Sequence, residues 1–185
     1  MKLKFNIITI LIALIVSTLL LSIIINRIQL NSRQTIEIED KFFFDKVSVD
    51  TIEKIQIITL DEEINLIRDE SLWKLEENEA DESKIQSLLS LLSEAKVDQM
   101  VSNNPDNLAE FGLNDESVIT LKLYRAGDNL VEQIQFGYYA AGGKIYAKRK
   151  DKNNVYTINA NIYSLINSRK DTWIKEDIDE TDPLE

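Results

Sequence analysis

Residues 5–25 (FNIITILIALIVSTLLLSIII) form a run of 21 without a single charged side chain. Wound as an α-helix, the run is about 31 Å long, the thickness of a bilayer's hydrocarbon core. It predicts a single membrane-spanning anchor and puts the polar remainder of the chain on one side of the membrane. A cleaved signal peptide also begins with basic residues, and Lys2 and Lys4 supply them. Its apolar core, however, is only about 7–15 residues and ends at a small-residue cleavage site. The stretch Ile23-Ile24-Ile25-Asn26-Arg27 offers no such site, and without Cys there is no lipoprotein processing, so the reading is an uncleaved signal anchor. Basic residues favour the cytoplasmic side and acids count little. Lys2 and Lys4 precede the run, whereas Arg27 and Arg33 follow it among Glu37, Glu39 and Asp40. We read residues 1–4 as cytoplasmic and the C-terminal domain as periplasmic or extracellular.

Charge and composition narrow what that domain can do. Residues 26–185 hold 19 basic and 32 acidic side chains, a net charge of −13. Such a surface repels nucleic acid and anionic lipid. The chain has no His and no Cys. That removes His-based triads, Cys nucleophiles, the usual zinc sites and disulfides, so packing alone must supply stability. A basic cluster, Lys144, Lys148, Arg149, Lys150 and Lys152, interrupts the acidity and reads as a solvated sheet edge.

Hydrophobic periodicity sets the organisation. Residues 26–45 read as a polar linker, with Phe42-Phe43-Phe44 entering the core. Residues 53–60 alternate, with Ile55 and Ile57 on one face and Lys54 and Gln56 on the other, as in a half-buried strand. Short strands follow at 64–68 and 72–76. Asp81 stands as an N-cap before Ile85, Leu88, Leu89 and Leu92, whose spacing predicts an amphipathic helix over 82–95. A strand at 97–101 stops at Asn103-Asn104-Pro105, and a helical turn through Phe111 closes on Gly112. Strands at 118–125, 130–138, 144–149 and 155–158 are separated by turn-forming residues, and a short helix is expected over 161–169. The predicted fold is therefore α+β: an N-terminal transmembrane helix, then antiparallel β meanders with two helices over residues 46–173. Those meanders suggest two related β-β-β-α units. Residues 174–185 form an acidic tail predicted to be disordered.

Four segments taken in order resemble a known family. SLWKLEENEADESKIQSLLSLLSEAKV carries a W-x-L step, an Ala-Asp pair and a leucine-rich helix; NLAEFGLND ends in the triplet Phe111-Gly112-Leu113. IQFGYYAAGGKIYAKRKDKNNVYTI has a strand ending at Gly137, and LINSRKDTW runs into Arg169-x-Asp171. Together, over roughly residues 50–175, they are similar to the bacterial domain of unknown function 4340. Asp115-Glu116 stand where that family commonly has a Pro after the Gly-Leu-acid step. The resemblance implies an extracytoplasmic domain behind one membrane helix, related to auxiliary components of ABC transporters of the gliding-motility type. It supplies no catalytic residues.

Candidate sites are few. Tyr138, Tyr139 and Tyr146 cluster around the Gly142-Gly143 hairpin, and a tyrosine offers partners both an apolar ring and a polar tip. They are the candidate partner contacts, with Tyr138 and Tyr139 expected on opposite faces. Trp73 and Trp173 are candidate ligand platforms, but Trp73 reads better as a buried anchor and Trp173 as packing where the tail leaves the domain. The acid pairs Asp61/Glu62/Glu63, Asp69/Glu70, Asp81/Glu82 and Asp115/Glu116 read as solvated turns. A hydrolase would need two of them facing across a cleft at about 5–10 Å. Neither a calcium loop nor a P-loop nor a G-x-G-x-x-G occurs. The expected object is a non-enzymatic, cofactor-free and metal-free accessory domain. Its expected partners are the bilayer, through residues 5–25, and a membrane or envelope protein, with an ABC transporter as the candidate complex. A glycan- or peptidoglycan-binding module is the alternative, and a carboxylate-dependent hydrolase the third reading.

Overall fold

Most of the strands form where apolar side chains alternate, and among the described residues they collect in one sheet. The computed structural model describes residues 16–18, 22, 44, 48–114 and 118–176. The chain divides into two units, Met1–Glu37 and Ile38–Glu185. In the first, residues 16–18 and 22 are helical; the rest of the predicted anchor lies outside the described residues. No helix among the described residues is long and apolar enough to cross a membrane. The predicted linker also lies outside them except for Phe44, which is buried in the core.

Among the described residues of the second unit, nine strands form one sheet, every pairing antiparallel. They are β1 (Lys54–Ile58), β2 (Glu63–Asp69), β3 (Leu72–Leu75), β4 (Asn78–Glu79), β5 (Val97–Ser102), β6 (Ile119–Arg125), β7 (Asn129–Ala140), β8 (Lys144–Arg149) and β9 (Val155–Asn159). Their order across the sheet is β4-β3-β2-β1-β6-β7-β8-β9-β5. Helix α1 (Glu82–Glu94) carries the chain from edge strand β4 to the opposite edge strand β5, and α2 (Tyr163–Ile166) is a single turn.

This corrects the expected α+β fold of two related β-β-β-α units. The meanders do not close separately, because β1 pairs with β6, setting Ile57 opposite Leu121. That pairing fuses them into one sheet with few, short helices. The second helix, expected over 161–169, splits into a 3₁₀ turn at Ala160–Ile162 and the four residues of α2. The Asn159 side chain accepts from the Asn161 N–H at 2.9 Å and fixes the tight turn. The helix ends at Asn167, whose N–H donates to the Tyr163 carbonyl at 2.9 Å.

One face of the sheet holds the core. Ile55 and Ile57 of β1, Ile64 and Leu66 of β2, Leu121 and Leu123 of β6, and Ile134 and Phe136 of β7 are fully buried. The predicted helical stripe Ile85, Leu88, Leu89 and Leu92 joins the same cluster, as do Trp73 and Trp173. Burying those four α1 side chains is worth about 1.5–3 kcal/mol each before entropy is charged against it. Asp81 caps α1 by accepting the Lys84 N–H at 3.1 Å.

The chain's last described stretch is a strap along β4. The Asp81 N–H donates to the Trp173 carbonyl at 2.8 Å, Ile174 bridges Ala80, and the Lys175 N–H donates to Glu79 at 3.0 Å. The strap therefore adds to the β4 edge.

Candidate interaction site

The β7–β8 hairpin holds all three tyrosines singled out in the sequence. Strand β7 runs to Ala140 but its pairing with β6 ends at Phe136, and its end pairs with β8 through Tyr139 and Ala140. The register jumps there, from Phe136 opposite Ala147 to Tyr139 opposite Ile145. Gly137 and Tyr138 thus oppose the single residue Tyr146, a β-bulge that re-aims the strand end. Gly142 and Gly143, both in the left-handed region, close the turn.

Each exposed ring is held from behind. Tyr138 is 53% exposed and rests on Gly112; a β-carbon there would lie 2.6 Å from its ring. The neighbouring Phe111 meets half-buried Tyr146 edge-on, with centroids 4.9 Å apart. Tyr139 is 61% exposed and packs at 4.5 Å against Tyr163 of α2. The register puts Tyr139 on the side of the core residue Ile145, opposite Tyr146. The hairpin end therefore offers a tyrosine on each side, and Tyr146 serves as support. Burial pushes the Tyr163 phenol above its usual range, which keeps it neutral behind Tyr139. No side chain in residues 133–143 is charged.

Phe111, Gly112 and Tyr163 are supports that sequence reasoning did not assign. The Phe111-Gly112-Leu113 triplet was visible as a turn; nothing in the sequence said which strand it would cover.

The basic cluster is not a solvated edge. Strand β8 lies inside the sheet, between β7 and β9. Lys144 pairs with Asp98 at 2.6 Å, Arg149 with Glu132 at 3.4 Å and Lys152 with Asp151 at 3.4 Å. The Lys144 hydrogen bond holds the Asp98 carboxyl below its usual range. Lys148 is 4% exposed and donates to Gln135 Oε1 at 3.0 Å, in a row Thr120–Gln135–Lys148 across β6, β7 and β8. Burial pushes its ammonium below the usual lysine range.

The remaining candidates have structural places. Trp73 and Trp173 are buried, as expected. Lys84 Nζ stands 4.7 Å from the centroid of the Trp173 ring. Glu62 Oε2 accepts the Lys170 N–H at 2.7 Å, and Asp81 is the α1 cap. Asp115 and Glu116 lie outside the described residues. Among the described residues no group of three His, Cys, Asp or Glu could hold a metal ion.

The segments quoted for the family resemblance meet in two places. The Ala80-Asp81 step binds the Trp173-Ile174 strap, and the Phe111-Gly112 turn covers Gly137 and Tyr138. The family model described as Domain of unknown function (DUF4340) matches residues 71–184. The matched stretch begins just before β3 and leaves out β1 and β2, which lie within the sheet between β3 and β6. No curated protein and no solved structure matches the chain.

Proposed function

From the premise that this chain belongs to the DUF4340 family of domains of unknown function, we propose that it is a non-enzymatic accessory domain. In this reading residues 5–25 hold it at a bilayer, and it acts outside the cytoplasm on an integral membrane partner, such as a transporter subunit of the ABC class. Tyr138 and Tyr139 make the contact. The observation that carries the reading is a β7 arm and turn without charge over residues 133–143, bearing two exposed, pre-packed tyrosines, on a chain of net charge −11. Interface centres are depleted in charge and enriched in tyrosine. Rings already packed in place lose little entropy on binding.

The test places a photo-crosslinking residue at position 138 or 139, with exposed Leu130 on the same strand as the comparison site. Adducts to one integral membrane protein from 138 and 139 but not from 130 support the reading. Tyr138→Ala with Tyr139→Ala should then weaken co-purification in mild detergent about tenfold or more, at least 1.4 kcal/mol. Equal adducts from all three sites, or none, would overturn it.

A further inference from the structure

A cavity of about 400 Å³ opens along β2 and β3, and Lys170, at the start of the 3₁₀ turn Lys170–Trp173 that leads into the strap, contributes to its wall. Its size falls within the range of small-molecule sites. Glu63, Asn65 and Ile67 line it, alternating along β2 with the buried Ile64 and Leu66. The charges in its wall cancel: carboxylates at Glu63, Asp69 and Glu76 against cations at Arg68, Lys74 and Lys170. A wall of net charge zero, in a chain of −11, selects neither a strong anion nor a strong cation.

The polar groups are also held in place. Glu63 accepts from Gln56 Nε2 at 2.8 Å and from Asn65 Nδ2 at 2.9 Å, and Gln56 Nε2 also reaches Asn65 Oδ1 at 3.0 Å. Lys74 pairs with Asp69, and Lys170 with Glu76. Each carboxylate keeps free lone pairs and each ammonium free protons, so acceptors and donors stand side by side. A hydroxyl group both donates and accepts, and a ring of several hydroxyls matches that alternation. Ile67 is 47% exposed in the same wall. With the lysine stems it offers an apolar surface to the C–H face of a pyranose.

We propose that this groove binds a neutral oligosaccharide. The Asn65 and Gln56 hydrogen bonds hold the Glu63 carboxyl below its usual range, making it a standing acceptor. The inference is independent of the tyrosine hairpin.

The full chain, in a detergent without sugar headgroups, is titrated calorimetrically with the tetramer of N-acetylglucosamine and with maltotetraose. Saturable binding of either, weakened tenfold or more by Asn65→Ala and by Lys74→Met, is the expected result. Circular dichroism checks that each variant is folded, and Asn65→Asp stands in should the alanine variant fail. Absence of saturable binding at millimolar oligosaccharide overturns the proposal. So does binding that Tyr139→Ala abolishes and Asn65→Ala leaves intact, which would move the glycan to the hairpin.

Discussion

Gly137 sits where the Phe111-Gly112 turn presses directly on β7. A β-carbon there would lie 1.9 Å from the Phe111 carbonyl oxygen, a backbone atom that cannot swing aside. Gly137→Ala must lift the Phe111-Gly112 turn off β7, and Tyr138 loses the surface it rests on. Overpacking of this kind costs about 1–3 kcal/mol. For a domain this size the thermal midpoint falls by about 2–4 °C per kcal/mol. Gly143→Ala is the comparison: its φ is +68° but nothing lies within 4 Å, so it carries torsional strain alone. Thermal melts of the full chain should show Gly137→Ala lower than Gly143→Ala; the reverse order would mean that the turn yields easily. The sequence marked both glycines but could not rank them. A glycine kept for a turn reads from its neighbours, whereas one kept for close approach depends on a residue 26 positions away, Phe111. For the same reason the tyrosines were legible as a cluster while their supports were not.

Helix α1 shows how much a single element reveals. Its start, its buried stripe and its end within one residue follow from Asp81 and the spacing of Ile85, Leu88, Leu89 and Leu92. Strand β4 was missed because two exposed residues, Asn78 and Glu79, carry no alternation, and their partners on β3 and the strap create the strand. The α1 cap also sets a pH dependence. Ser83 and Lys84 donate to the Asp81 carboxylate and hold it below its usual range. A carboxyl depressed by folding stabilises fully above its unfolded value, about 3.9, and that stability is lost as pH falls through the folded value. Asp81→Ala should lose about 1 kcal/mol at neutral pH. Asp81→Asn keeps an acceptor at the cap and should stay near wild type there. Below about pH 4 the wild type should approach the Asn variant or drop beneath it. Urea titrations between neutral pH and acid, comparing the three proteins, test this; a constant gap between wild type and Asp81→Asn would show that the cap does not titrate.

The order of the strands is the part of the fold the sequence could not carry. Alternation says which face of a strand is buried and a turn says which hairpins form, so β1–β2, β6–β7, β7–β8 and β8–β9 were legible. Which meander edge meets which is a choice among apolar surfaces of the same kind. Here β1 takes β6, and β5 takes β9, setting Met100 opposite Tyr156. Both pairings join residues more than fifty positions apart. Loop-closure entropy must be met before either contributes, so the molecule as a whole should fold slowly despite its short hairpins. Stopped-flow refolding from urea should place the main phase between milliseconds and seconds. Leu121 is fully buried and lies opposite Ile57 at the β1–β6 seam. Leu121→Ala should cost about 2–5 kcal/mol. If the seam forms at the barrier, much of that loss will appear as slower refolding rather than faster unfolding. A microsecond phase carrying the full amplitude would mean that the two meanders assemble locally and dock only afterwards.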